Sequence, residues 1–130
     1  MGPLKVIIAG SRTITDLSLV YKTIEDSGFE IDIVVSGCAK GIDSLGELWA
    51  EENGIVVKKF PADWKDLITP PVKIKTNGYG QYNALAGFAR NQKMADYADA
   101  LIAITTGSPG TRDMIERANK AGLYVFEKYV

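Results

Sequence analysis

Three glycine-bearing segments of the chain have the residue types of an anion cradle. They are Gly10-Ser11-Arg12, Gly37-Cys38-Ala39-Lys40-Gly41-Ile42-Asp43 and Thr106-Gly107-Ser108-Pro109-Gly110-Thr111. Glycine lets backbone N–H groups approach an anion closely, and a helix starting behind each segment adds the positive end of its dipole. Ser11, Arg12, Lys40 and Thr111 supply side-chain donors. A turn between strand and helix needs glycine in any case, so one such segment says little. Three together favour a phosphate-bearing ligand. No Gly-Lys-Ser/Thr closes any of them, and the first does not complete G-x-G-x-x-G, which sets aside P-loop nucleotide hydrolysis and ordinary dinucleotide-dependent dehydrogenation.

Histidine is absent. The commonest general base, the Ser-His and Cys-His nucleophile pairs and nearly all zinc chemistry go with it, so no metal and no cofactor is expected. Catalysis, if any, runs on carboxylates, arginine, amides or hydroxyls. Asp43 is either a helix N-cap or a contact to ribose or base, and both roles are compatible. Asp63-Trp64 follows a strand, where Trp64 either stacks on a base or closes the core under a loop. Arg90 falls early on a helix with Asn91 beside it; a cation there opposes the dipole and so argues for an anionic partner. Cys38 and Ser11, lacking a base, read as small donors near phosphate. Glu47 reads as the capping-box partner of Ser44.

These residues need elements to hold them, and hydrophobic periodicity supplies a reading. Leu4 to Ala9 is a short apolar run ending at Gly10, a strand buried on both faces. A helix follows with Leu17, Val20, Tyr21 and Ile24 at its spacing, Thr15 or Asp16 as N-cap and Gly28 as stop. Ile31 to Val35 is a second strand, Asp43 to Asn53 a second helix and Ile55 to Phe60 a third strand. From Ala62 to Asn83 the pattern fails, which predicts a long loop at about 62–83. A helix resumes near Ala84 and runs to about Tyr97, and Ala100 to Ile104 is the fourth strand. Thr111 then caps a helix carrying Met114, Ile115 and Ala118 and stopped by Gly122, before a last strand at Leu123 to Phe126. Alternating strand and helix predicts an α/β fold: a Rossmann-like three-layer α/β/α domain over residues 1–130 with a mainly parallel five-stranded sheet in the order 3-2-1-4-5. Ligands of such sheets bind outside the C-terminal strand ends.

Composition agrees with one globular domain: 130 residues, 46% hydrophobic and 24% charged. No apolar run is long enough to span a membrane, and the N-terminus lacks the pattern of a secretory signal. The single cysteine excludes an internal disulfide framework and suits a reducing, cytoplasmic setting. Net charge is −1, but residues 58–93 hold seven basic and two acidic side chains together with Phe60, Trp64, Tyr79, Tyr82 and Phe88. A basic, aromatic middle third suits a nucleotide or a single-stranded nucleic acid, or is simply a solvated lysine face. The overall acidity, with a pI of about 5.4, argues against nucleic acid as the partner.

The ordered series Gly10-Ser11-Arg12, Val35 to Asp43, Phe60-Pro61-Ala62-Asp63-Trp64, Ala86 to Met94 and Ser108 to Met114 resembles the YspA/YpsA-like branch of the SLOG superfamily, common in bacterial and phage genomes. That resemblance implies a Rossmann-like fold, a nucleotide-like small-molecule partner (nucleoside monophosphate, ADP-ribose or NAD-type) and a homodimer. It implies three functions: a nucleotide sensor or sequestering module; a LOG-like N-glycosidic hydrolase of nucleoside 5′-monophosphates; or single-stranded nucleic-acid binding of the DprA kind. Against the LOG signatures, Arg90 with Met94 resembles the catalytic arginine stretch, and Gly110-Thr111 matches the second signature. The position of its catalytic glutamate is Met114, however, with Asp113 one place earlier and rotated ~100° on a helix. The resemblance thus makes Arg90 and Asp113 the catalytic candidates. Gly10, Ser11, Arg12, Gly37, Cys38, Ala39, Gly41, Asp43, Asp63, Trp64, Arg90, Asn91, Gly107, Ser108, Gly110 and Thr111 are the ligand-binding candidates.

Overall fold

The computed structural model describes residues 2–130, and Met1 lies outside them. Chain order is β1 (Leu4–Gly10), α1 (Leu17–Ser27), β2 (Ile31–Ser36), α2 (Ile42–Glu52), β3 (Val56–Lys59), β4 (Ile74–Asn77), β5 (Gly80–Asn83), α3 (Ala86–Tyr97), β6 (Ala100–Thr105), α4 (Pro109–Lys120) and β7 (Tyr124–Tyr129). Five strands form one sheet in the order β3-β2-β1-β6-β7, every neighbouring pair parallel. This is the expected order, with β6 and β7 as its fourth and fifth members.

The period-two alternation of β1 sorts the core into two layers. Val6 and Ile8 join Val20, Ile24, Ile42 and Ala50 under α1 and α2. Ile7 and Ala9 face Met94, Ala95, Met114 and Ala118 under α3 and α4. β6 is buried at every residue, as a central parallel strand covered on both faces must be. Each fully buried aliphatic side chain contributes roughly 1.5–3 kcal/mol over leaving it in water. No helix among the described residues is long and apolar enough to cross a membrane.

Three local expectations are corrected. The loop at 62–83 contains an antiparallel hairpin, β4–β5, standing apart from the sheet. Periodicity missed it because both its faces meet solvent, so no apolar alternation marks its strands. Its base is held by the buried Asn83, whose Nδ2 donates to the Pro71 carbonyl (3.0 Å) and whose Oδ1 accepts from Lys73 (3.1 Å) and Leu85 (3.0 Å) N–H. The second correction is that α2 starts at Gly41, so Ser44 and Glu47 form no capping box. Ser44 Oγ donates to Ala39 O (2.9 Å), and Glu47 reaches across to accept from Ser36 Oγ (2.5 Å) and pair with Lys59 (3.7 Å). The third is that α4 starts one turn earlier than expected: Ser108 is the N-cap residue, Pro109 fills the first helical position and Thr111 lies inside the helix. The cap of α1 is as read, with Asp16 accepting from Ser18 (3.0 Å) and Leu19 (3.3 Å) N–H and Gly28 closing the helix at φ +69°.

Candidate functional site

A cavity of about 410 Å³ opens at the C-terminal ends of β1 and β6, where the strand order reverses. Parallel α/β sheets leave a crevice at that point because the helices on either side diverge from it. The cavity collects Gly10, Ser11 and Arg12 from the end of β1, Ala39 and Asp43 around the start of α2, and Trp64 from the long connection. Arg90 and Asn91 enter from α3, and Ser108, Gly110 and Thr111 from the start of α4.

Close packing of backbone fixes the floor. A Cβ on Gly10 would collide with the Ile104 carbonyl, and one on Gly41, at φ +73°, with the Ser11 and Arg12 carbonyls. Gly41 therefore serves to seat one loop on the other rather than to touch a ligand. Ile42 N–H donates to Ser11 O (3.4 Å) across the same seam.

Many loop amides already have partners. Ser11 Oγ accepts from Thr106 N–H (2.9 Å), Thr105 Oγ1 from Gly107 (2.9 Å) and Ser108 (3.3 Å) N–H, and Asp43 from Ala39 N–H (3.2 Å). Gly107 is thereby structural. The first-turn amides of Gly110 and Thr111 have no protein acceptor among the described residues. Neither α3 nor α4 carries a side-chain cap, and both present their first turns to the cavity. α1, whose Asp16 stands outside the cavity, is capped. Uncapped helix starts leave N–H groups and a positive dipole end facing the space between them.

Among the described residues no ion pair closes between the charges in this space. Ion pairs among the described residues join Lys22–Asp26, Lys59–Glu47 and Arg117–Asp113, and include none of Asp43, Arg90 and Arg12. Arg90 Nη1 donates to the Gly37 carbonyl and its Nε to Asn91 Oδ1 (3.0 Å). A Cβ on Gly37 would stand 2.7 Å from Arg90 Nη1 and 2.9 Å from Asp43 Oδ2, so the bare glycine makes room for both groups. Asp43 is 6% exposed, and burial raises its carboxyl pKa against the opposing pull of the Ala39 N–H and Arg90. Burial likewise lowers the pKa of Arg90, countered by Asp43.

Besides Gly41 and Gly107, four candidates lie apart from the cavity. Asp63 borders a second cavity on the other side of α3, and Gly37 and Cys38 line a neighbouring cleft that shares Arg12, Ala39, Trp64 and Arg90. The Cys38 thiol is pushed up by burial and then by Glu47, which disfavours a thiolate. Asp113 faces the outer side of α4, where its carboxylate accepts from Asn91 Nδ2 (3.0 Å) and Arg117 Nε (2.9 Å). Met114, at the position where LOG enzymes have the glutamate, borders the cavity at 1% exposure. The one-residue rotation thus puts a thioether where that signature has an acid.

Phe88, Gly87, Met94 and the Thr106 hydroxyl also line the cavity and were not among the sequence candidates. Gly87 and Met94 recur at helical spacing with the chosen Asn91, and that period was the available signal.

Comparison with known proteins finds one family likeness and one structural likeness. Residues 4–66 match the model described as YAcAr, the YspA, cpYpsA-related SLOG family. The SLOG match covers the segments around Gly10, Gly37–Asp43 and Asp63-Trp64, and ends before Arg90 and Gly110-Thr111. For the remainder the likeness is one of structure. The X-ray structure of DNA processing protein A (DprA) from Streptococcus pneumoniae superposes with a TM-score of 0.72 and 25% identity, over 96% of this chain and 50% of that one. This chain therefore spans half the length of that neighbour. No curated protein matches it.

Proposed function

We propose that the cavity at the sheet's C-terminal edge binds a nucleotide or nucleotide-derived phosphate ligand, and that the protein acts as a sensor or sequestering module. The SLOG match and the likeness to a DNA processing protein support a nucleotide- or nucleic-acid-related role. The observation that carries the finer reading is the convergence of two uncapped helix starts and two unpaired arginines, Arg12 and Arg90, on one cavity. Phosphate suits the Gly110 and Thr111 amides and the Ser11 and Ser108 hydroxyls. The buried Asp43 carboxylate is the acceptor for ribose hydroxyls, and Trp64, Phe88 and Met94 supply the apolar face for a base.

Isothermal titration with AMP and with inorganic phosphate tests the proposal. Binding tighter than ~1 mM, weaker by at least tenfold in Arg90→Ala, is expected. Absence of binding by either ligand refutes it.

A second reading, cleavage of the N-glycosidic bond by water to give free base and ribose 5-phosphate, draws on one observation. Asp43, with its pKa raised, is the carboxyl group inside the cavity beside Arg90, whereas Asp113 is engaged elsewhere. Base release on incubation with nucleoside monophosphates, lost in Asp43→Asn, distinguishes turnover from binding alone.

A further inference from the structure

The other flank of α3 borders a second cavity, of about 480 Å³. Gly87, Asn91 and Met94 face the first cavity and Ala86, Ala89 and Lys93 the second, as the two flanks of a helix at 3.6 residues per turn do. Trp64 packs on the first flank, 3.2 Å from where a Cβ on Gly87 would stand, and takes no part in lining the second space. The two are separate spaces.

The walls of the second cavity are apolar. Pro61, Pro70 and Pro71 line it from the connection after β3, and Leu85, Ala86 and Ala89 from the start of α3. Proline has a fixed φ and no N–H, so that side is stiff and offers no backbone donor at three positions. The volume falls in the roughly 300–1,000 Å³ of sites that take a small organic molecule. Most of the polar groups are already spent. Asn83 is tied to the Pro71 carbonyl and the Leu85 N–H, and Asp66 accepts from Ile68 and Thr69 N–H. Gln92 is held between Asp96 and Arg117, Arg117 also donates to Asp113, and Arg90 is turned to the Gly37 carbonyl and Asn91.

Two charged groups are left. The Asp63 carboxylate and the Lys93 ammonium are both exposed, and neither has a side-chain hydrogen bond or ion pair among the described residues. Opposite charges thus share one apolar cavity without closing on each other. A polyol finds almost no free hydrogen-bond partner there, and an uncharged apolar molecule leaves both charges unanswered. A peptide end carries one of the complementary charges and not both.

We propose that this cavity is a binding site for a free α-amino acid with a large apolar side chain. Its ammonium pairs with Asp63, its carboxylate with Lys93, and its side chain lies between the prolines and α3. Phe88, which borders the cavity and leaves 37% of its surface in water, adds an aromatic ring and favours aromatic side chains. The site does not depend on the nucleotide reading of the first cavity, and failure of AMP to bind leaves it standing.

The test is titration of the full chain followed by amide NMR spectra, with L-phenylalanine, 3-phenylpropionate (no ammonium), 2-phenylethylamine (no carboxylate) and L-alanine (no apolar body). L-phenylalanine is expected to bind with a Kd of about 1 mM or tighter, and each of the others at least about tenfold more weakly. The largest shifts should fall on the Leu85, Ala86 and Ala89 amides. Asp63→Asn should bring phenylalanine within about twofold of phenylpropionate while keeping its advantage over phenylethylamine, and Lys93→Gln should do the converse. Absence of phenylalanine binding overturns the proposal. So does equal binding of either charge-deleted analogue, an advantage that survives both substitutions, or a shift pattern centred on Gly10 and Gly110, which would put the molecule in the first cavity.

Discussion

Replacing Gly37 by alanine isolates the placement of Arg90 from the stability of the fold. Gly37 has no left-handed backbone angle, so alanine brings no strain of its own. Its Cβ would lie 2.7 Å from Arg90 Nη1 and 2.9 Å from Asp43 Oδ2, both ends of flexible side chains. Restoring ordinary contact requires the guanidinium to retreat by about 0.8 Å. That breaks its bond to the Gly37 carbonyl, a charge-assisted contact whose net worth is ~1.5–3 kcal/mol at most. Because the side chain can re-solvate at the cavity mouth, the fold should lose no more than about 1 kcal/mol. A phosphate ligand relying on the fixed guanidinium should lose ~1–2 kcal/mol, roughly five- to thirtyfold in Kd. Gly46→Ala is the control: its Cβ would sit 2.8 Å from Ile8 Cγ2 in the core, costing ~1–3 kcal/mol of stability without altering affinity per folded molecule. Calorimetric titration with AMP, paired with urea denaturation, reads both quantities. Unchanged affinity in a folded Gly37→Ala protein would show that Arg90 does not hold the anion. Destabilisation equal to that of Gly46→Ala would show that backbone, not the arginine, had yielded.

Further outcomes follow from the same geometry. Burial raises the Asp43 pKa, so its contribution to stability is greatest at low pH and falls as pH rises through the raised value. Asp43→Asn should therefore be more stable than the parent at neutral pH, the gap closing on acidification, as thermal melts across pH will show. Asp113→Asn should leave phosphate affinity within about threefold, because its carboxylate serves Asn91 and Arg117; a loss comparable to Arg90→Ala would restore it as a ligand residue. Trp64 lines the cavity whereas Trp49 packs on the core beneath α2, so ligand-induced fluorescence change should vanish in Trp64→Phe and persist in Trp49→Phe. Leu101→Ala, in the fully buried β6, should cost ~2–5 kcal/mol in denaturant unfolding.

The sheet was legible because its strands are continuous apolar runs, the mark of parallel strands covered on both faces, and because glycine punctuates their ends. Strand order followed from handedness once the hairpin was left out of the count. The hairpin could not be read, since Ile74 is half exposed and Tyr79 is 92% exposed; neither alternates with buried partners. The helix starts were misjudged for a related reason. Thr111 and Ser44 are good capping residues by type, but the loops before them are both drawn in by Ser11, far away in sequence, which bonds Thr106 N–H and Ile42 N–H. In the site, Ser11, Arg12, Asp43, Trp64, Arg90 and Gly110-Thr111 were found because charge and loop position mark them. Asp113 stands off the cavity, as its ~100° rotation from Met114 requires, and its carboxylate is held by Asn91 and Arg117. Gly37, Gly41 and Gly107 carry the glycine signal yet serve packing or turn geometry, a distinction that only their three-dimensional neighbours reveal.

The hairpin is clasped at its base, by the Asn83 side chain and by backbone bonds from Asn83 N–H to Trp64 O and from Ala84 N–H to Lys73 O, and no residue of β4 or β5 belongs to either core layer. The arm above that clasp is therefore free to lengthen, shorten or change its decoration without any adjustment of the five strands below. A domain organised in this way has a socket beside its ligand mouth, into which different attachments can be fitted while the chemistry underneath is left alone.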